Sequence, residues 1–209
     1  MSASQASGVS GAAGLFDALP VNDEDAVTRL RARLAEAAER DGLLDVAYRE
    51  VATPVGSLLL AATEQGLVRV AYENQDHDRV LATLAELVSP RVLRAPARLD
   101  PAARQLEEYF GGQWQRFDLP LDLRLAHGFR RSVLGHLPDI GYGHTESYAQ
   151  VAAAVGSPRA IRAAGTACAL NPLPVVVPCH RVIRSDGSLG QYAGGPAAKE
   201  ILLELEGSR

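Results

Sequence analysis

The chain has 209 residues, 47% hydrophobic and 22% charged, which is enough apolar material for one large domain or two small ones. No run approaches the roughly eighteen apolar residues that a membrane span needs, and the opening Met-Ser-Ala-Ser-Gln-Ala-Ser-Gly lacks the basic start and apolar stretch of a signal peptide. A cytoplasmic protein with no membrane contact is expected. The net charge of -4 is unevenly spread: residues 129–209 hold eight Arg or Lys against six acids, so any phosphate-binding face belongs in the C-terminal part.

In chain order, residues 1 to about 22 are rich in Ser, Ala and Gly without a sustained apolar period, and read as a flexible tail. Asp23-Glu24-Asp25 then starts a short surface helix with Val27, Leu30, Leu34 and Ala37 at helical spacing and Gly42 as its stop. This is expected to dock on the body, closing a first segment, 1–44. Val46-Ala47-Tyr48, Leu58-Leu59-Leu60-Ala61 and Leu67-Val68-Arg69-Val70 are strand-like runs punctuated by Pro54, Gly56 and Gly66, which predicts a small antiparallel sheet. Helices follow at about 76–88, with Val80, Leu81, Leu84 and Leu87 on one face, and at about 101–110, where Asp100 can cap and Pro101 fits the first turn. Gly111-Gly112 ends that second segment's last helix. Strands first and helices after make residues 45–125 an α/β unit within an α+β protein.

From Phe129 short helices take over. One runs to about Leu137; a second, Ser147 to Ala154, has Ser147 and Gln150 spaced as a capping box; a third runs from Pro158 to about Leu170. Only Val155-Gly156-Ser157 separates the second from the third, as in a helix-turn-helix, with Arg159 and Arg162 near the start of the reading helix. Residues 126–209 therefore read as a helical, winged-helix-like domain. On its own a helix pair with a short turn is a weak signal, since ordinary cores use it too.

The stretch from Asn171 to Ile183 carries the chemistry. Three prolines stiffen it, and an apolar approach delivers Cys179, followed by His180 and Arg181, whose burial without a function would be costly. A nearby His or cation lowers a thiol's pKa and increases the thiolate fraction that attacks carbon. Cys168, by contrast, reads as an inert buried hydrophobe. A cytosolic protein keeps both thiols reduced. No C-x-x-C or H-x-x-x-H spacing exists, so neither metal nor other cofactor is expected.

Val177-Pro178-Cys179-His180-Arg181-Val182-Ile183 resembles the active-site signature of the O6-alkylguanine-DNA alkyltransferases, also called methylated-DNA-protein-cysteine methyltransferases. The likeness extends through Tyr142 to Tyr148, Ser157-Pro158-Arg159-Ala160-Ile161-Arg162, Asn171-Pro172, Gly190 to Gly195, and Leu202 to Gly207. It is close over residues 129–207, looser over 45–125, and absent before about residue 44. The resemblance implies a single-turnover DNA repair enzyme, acting as a monomer on duplex DNA with O6-alkylguanine and, as a further candidate substrate, O4-alkylthymine.

Cys179 would be the alkyl acceptor. His180, through a water, would take its proton, and Glu206 would orient His180. Tyr148 would approach guanine N3 to aid proton transfer, the amide at Ala193 would contact O6, backbone at Cys179 and Val182 would hold the base edge, and Tyr192 would border the alkyl pocket. Because O6 is stacked inside the duplex, the nucleotide must swing out. Arg162 would insert in its place, Arg159, Ala160 and Arg181 would contact DNA, and the third helix would lie in the minor groove. Asn171 would brace the turn before the active-site segment.

Arg130 departs from the resemblance, standing where relatives commonly have Gln, as does Leu134, where many have Trp. Rival readings are a non-catalytic alkylated-DNA binder of the same fold, a helix-turn-helix regulator and a cysteine hydrolase. Cys179 argues against the first, the Cys-His segment against the second, and the lack of an oxyanion site against the third.

Overall fold

The computed structural model describes residues 24–208; the tail reading and Asp23 of the expected helix start lie outside them. Helix α1 (Glu24–Arg40) stops as expected at Gly42, whose left-handed φ of 66° lets Leu43 N–H return to the Ala38 carbonyl at 2.7 Å. It docks by a different face from the one its larger apolar residues suggest. Ala35 and Ala38 are buried beside Leu44, while Val27, Leu30 and Leu34 are exposed, because only the last turns reach the body and small side chains allow close approach there.

Strands β1 (Val46–Thr53), β2 (Gly56–Thr63) and β3 (Gly66–Tyr72) form an antiparallel meander joined by two-residue loops, each followed by a positive-φ glycine, Gly56 or Gly66. A Cβ on Gly66 would lie 2.1 Å from the Pro120 carbonyl, so this glycine also admits a crossing chain. Helix α2 (His77–Leu87), capped by the Asp76 side chain, carries the chain across to β4 (Val92–Arg94). That strand pairs parallel with β1, giving the order β3-β2-β1-β4, so the expected antiparallel sheet is present and carries one additional parallel edge strand.

Alternation assigns the faces. Leu59, Ala61, Val46 and Val68 pack against Val80 and Leu84 of α2, whereas Leu58, Leu60 and Ala47 face the main core with Leu106 and Tyr109 of helix α3 (Asp100–Phe110). Central β2 is covered on both sides and so reads as a continuous apolar run. Asp100 lies inside α3 and pairs with Arg49 at 2.6 Å instead of capping; Leu99 holds the cap position without a side-chain bond.

The C-terminal half contains α4 (Gly128–His136), α5 (Tyr148–Ala154), α6 (Ile161–Ala169) and α7 (Gly195–Leu205), with a short parallel pair, β5 (Glu146–Ser147) and β6 (Val182–Ile183). The α+β architecture is as read. The Ser147 and Gln150 capping box is present at the start of α5. Helix α6 begins three residues later than expected, since Ala160 N–H bonds the Ser157 carbonyl at 2.8 Å and holds Pro158-Arg159 in a turn. Residues 171–182 are all buried, and Val70 N–H donates to the Pro172 carbonyl at 2.8 Å, tying the sheet to the segment that carries Cys179. Among the described residues no helix is long and apolar enough to cross a membrane.

Candidate active site

The chain reverses tightly before Cys179. Val175 is held at φ 73°, a conformation that strains a β-branched residue by about 1–3 kcal/mol. Asn171 supports the reversal from both ends of its amide: Oδ1 accepts from Leu173 N–H at 2.9 Å and Nδ2 donates to the Val177 carbonyl at 2.8 Å. The same Nδ2 also lies 3.1 Å from Cys179 Sγ. Asn171 thus braces the 171–177 reversal and in addition offers the sulfur a hydrogen-bond donor.

Cys179, His180 and Arg181 make one 3-10 turn, exposed by only 2%, 0% and 6%. Their polar groups converge on Glu206, brought in at the C-terminal end of α7. One carboxylate oxygen lies 2.9 Å from His180 Nε2 and accepts from the Tyr109 hydroxyl at 2.6 Å and Arg181 Nη2 at 2.9 Å; the other accepts from Arg181 Nε at 2.8 Å. Arg181 also donates to the Ile140 carbonyl at 2.6 Å. A buried carboxylate is tolerated because every neighbour donates to it. Burial alone would raise the Glu206 pKa, but the bonds from His180, Arg181 and Tyr109 outweigh it and hold the carboxyl at about 2.

This places Arg181 differently from the reading that grouped it with DNA contacts. Its guanidinium is turned into the core by Glu206 and is not available to a phosphate at the surface.

Cys179 and His180 share no direct hydrogen bond among the described residues. His180 Nδ1 is buried without a protein partner. Burial depresses the imidazole pKa despite Glu206, so the ring rests neutral and can accept a proton. Burial also raises the Cys179 thiol to about 11, against the lowering influence of Asn171 and Lys199. Desolvation is the largest influence on the resting thiol, with the Asn171 amide and Lys199 opposing it. Cys168 is likewise unpaired and buried, and burial raises it to about 12.

Lys199 lies outside every motif read from the sequence. Fully buried on α7, its Nζ donates to the Val182 carbonyl at 2.5 Å and to the Leu189 carbonyl, joining the active-site turn to the loop after it. Burial lowers it to about 8. A lysine on the apolar face of an otherwise good amphipathic helix is the local signal that could have found it. Tyr109 gives no such signal, lying 97 positions from Glu206.

Tyr148 borders the cluster. Its ring packs on Gly165, its hydroxyl lies where a Cβ on Gly190 would approach to 2.8 Å, and burial raises it to about 12. The 190–195 loop is gripped from the sheet half: the Tyr72 and Tyr192 hydroxyls are 3.0 Å apart, Asn74 Nδ2 donates to the Ala193 carbonyl at 3.2 Å, and a Cβ on Gly194 would fall 2.5 Å from the Tyr72 ring. Val182 is buried and its carbonyl already accepts from Lys199, leaving one lone pair for another donor. Arg159 and Arg162 are exposed, in the turn before α6 and in its first turn, with Ala160 half-buried between them. The structure thus gathers Cys179, His180, Asn171 and Glu206 into one buried cluster, sets Tyr148, Tyr192 and Ala193 at its border, and leaves Arg159 and Arg162 on the surface.

Comparison with known proteins gives this geometry a family. Residues 128–208 match the model of the 6-O-methylguanine DNA methyltransferase DNA-binding domain, and residues 46–123 match that of its ribonuclease-like domain. A methylated-DNA–protein-cysteine methyltransferase of Methanosarcina barkeri is 40% identical over 159 residues, which are 76% of this chain and 96% of that protein. The chain belongs to the O6-methylguanine-DNA methyltransferase family. Among solved members of the family, the Mycobacterium tuberculosis O6-methylguanine methyltransferase superposes with a TM-score of 0.69 at 38% identity, covering 78% of this chain and 94% of that one. A crystal structure of the M. tuberculosis protein in complex with DNA superposes with a TM-score of 0.67 at 36% identity, covering 78% and 93%.

Proposed function

We propose that this protein is a direct-reversal DNA repair enzyme that moves an alkyl group from O6 of guanine in duplex DNA to Cys179, irreversibly and once per molecule. The observation that carries the reading is the buried Cys179 sulfur, 3.1 Å from the Asn171 amide and next in sequence to a His180 that Glu206 holds at 2.9 Å. Membership of a family of methylated-DNA–protein-cysteine methyltransferases supports it.

The sulfur attacks the alkyl carbon opposite its bond to O6. The S–C bond forms as the C–O6 bond breaks, and the bonding pair passes to the guanine. The thiol proton moves through one water to neutral His180 at Nδ1, and Glu206 stabilises the imidazolium from Nε2. Tyr148, held protonated by its raised pKa, passes a proton toward guanine N3, so the protein loses one proton and the base gains one. The carbon is sp3 and carries no developing oxyanion, so the site needs no oxyanion hole. The thioether is stable, which limits the enzyme to one event.

Delivery of the base rests on α6. Arg162 fills the place of the extruded nucleotide, Arg159 and Ala160 meet the backbone, and Tyr192 and Ala193 close over the flipped base. We place the protein in the cytoplasm as a monomer, where its two cysteines stay reduced.

Arg162→Ala is expected to slow transfer from duplex DNA about 10- to 100-fold, the price of an unsupported flip of a few kcal/mol, while reaction with free O6-alkylguanine stays near wild type. Equal loss on both substrates in single-turnover assays would remove the finger role. The reading as a whole is tested by intact-mass spectrometry and peptide mapping after mixing the protein with duplex containing O6-methylguanine. One methyl group on Cys179, saturating at one per molecule, is the expected result. An unmodified protein that still binds the lesion would make it a damage-recognition module.

A further inference from the structure

A groove of about 410 Å³ is lined by residues of both halves of the molecule and meets the Cys179 cluster only at Asn171. Three arginines from three elements line it: Arg69 of β3, Arg79 of α2 and Arg130 of α4, with no Asp or Glu among the lining residues. Arg69 interrupts a strand whose other residues are buried, and it is half-buried itself. Burial lowers its pKa, and no carboxylate among the described residues compensates it. Arg130 donates to the Leu125 carbonyl while its Nε is buried without a partner. Arg69 and Arg130, both half-buried and without a carboxylate partner among the described residues, share the groove with the exposed Arg79, which points to an anion that belongs there.

The position of the groove says which anion. Arg162, Thr166, Ala169 and Leu170 make one exposed face along α6, at helical spacing, and Ala169 and Leu170 form the groove's near wall. The face that begins with Arg162 therefore leads directly to the arginine groove. Arg79 stands on the exposed face of α2 at the far side.

We infer that this groove is a second phosphate-binding site for the duplex, contributed largely by the sheet half, in which Arg69, Arg79 and Arg130 neutralise the backbone beyond the stretch covered by α6. This deepens the duplex-DNA reading above and rests on it. Such contacts position the protein without reading sequence.

The test is fluorescence anisotropy with unmodified duplex across a salt series, comparing wild type with Arg79→Gln and with the double variant Arg69→Gln/Arg130→Gln. Each phosphate contact contributes about 0.9 to the slope of log affinity against log salt. The double variant is expected to lower that slope by about 0.9 or more, Arg79→Gln to shift it in the same direction, and Arg69→Lys/Arg130→Lys to restore it. Because Arg79 is exposed, its variant reads the site even if the double variant melts early. Wild-type slopes in Arg79→Gln and in a folded double variant would overturn the inference, and would leave the groove to an acidic protein partner. If the wild type still gains one alkyl group from lesion duplex, that failure touches this site alone; a wild type with neither duplex binding nor mass gain overturns both readings.

Discussion

Cys179→Ser is expected to abolish alkyl transfer while leaving duplex binding near wild type. Serine keeps the size of the side chain, and the Asn171 amide that lies 3.1 Å from the sulfur can donate to the hydroxyl instead. What is lost is the nucleophile. In the proposed mechanism the thiol passes its proton toward His180 as it attacks, and a buried hydroxyl, far less acidic than a thiol, has no comparable route. The exposed Arg159 and Arg162 are untouched. The substitution is expected to cost about 1 kcal/mol of stability, so loss of activity will not be loss of fold. Mass spectrometry should show no gain on the variant, and anisotropy should show retained affinity. A mass gain in Cys179→Ser that maps to Cys168 would move the acceptor role to that second thiol.

Glu206→Ala is expected to produce the largest loss of stability of any single substitution at the site, about 3–5 kcal/mol, measured by urea or thermal unfolding. The carboxylate is the common acceptor for His180, Arg181 and Tyr109, and its removal leaves a buried guanidinium without its counter-charge. The pH dependence follows with a definite sign. Glu206 is held at about 2 in the folded protein against an ordinary value of 4.5, so its contribution is fully present above 4.5 and disappears as pH falls toward 2. His180 acts in the same direction from higher pH. Burial keeps its folded-state pKa below the ordinary 6.5, so the unfolded chain takes up that proton first as the solution is acidified. Wild-type stability should therefore decline in two stages, and Glu206→Ala should lack the lower one. An acid limb between 4.5 and 2 that is unchanged in the variant would show that Glu206 is not the group responsible.

Much of this was legible in the sequence because it is local. The run from Val177 to Ile183 is contiguous, the capping box needs only Ser147 and Gln150, and the meander is marked by apolar runs between Gly56 and Gly66. The errors arose where a residue's role is set by something distant. Arg181 carries the same charge as Arg159, and it is Glu206, 25 positions away, together with the Ile140 carbonyl that turns it inward. Tyr109 and Lys199 reach the site from separate helices and share no period with Cys179. Strand β4 is three residues long, too short to show alternation, and exists because β1 offers it an edge. Pro158 suits a helix start equally well on paper, but the bond between Ala160 and Ser157 closes a turn there first.

The contact of Tyr72 with Gly194 has a consequence for how such a protein can change. The ring fills the space that a side chain at position 194 would need, with its nearest atom 2.5 Å from where the Cβ would stand. Positions 72 and 194 thus share one small volume, and a lineage that enlarges one must shrink the other. Grafting the helical half onto a foreign sheet would transplant Cys179 but leave behind the Tyr72 and Asn74 footing of the 190–195 loop. Substitutions at 72 and 194 are in this sense coupled, and a comparison confined to the C-terminal residues would mistake an epistatic trait for a local one.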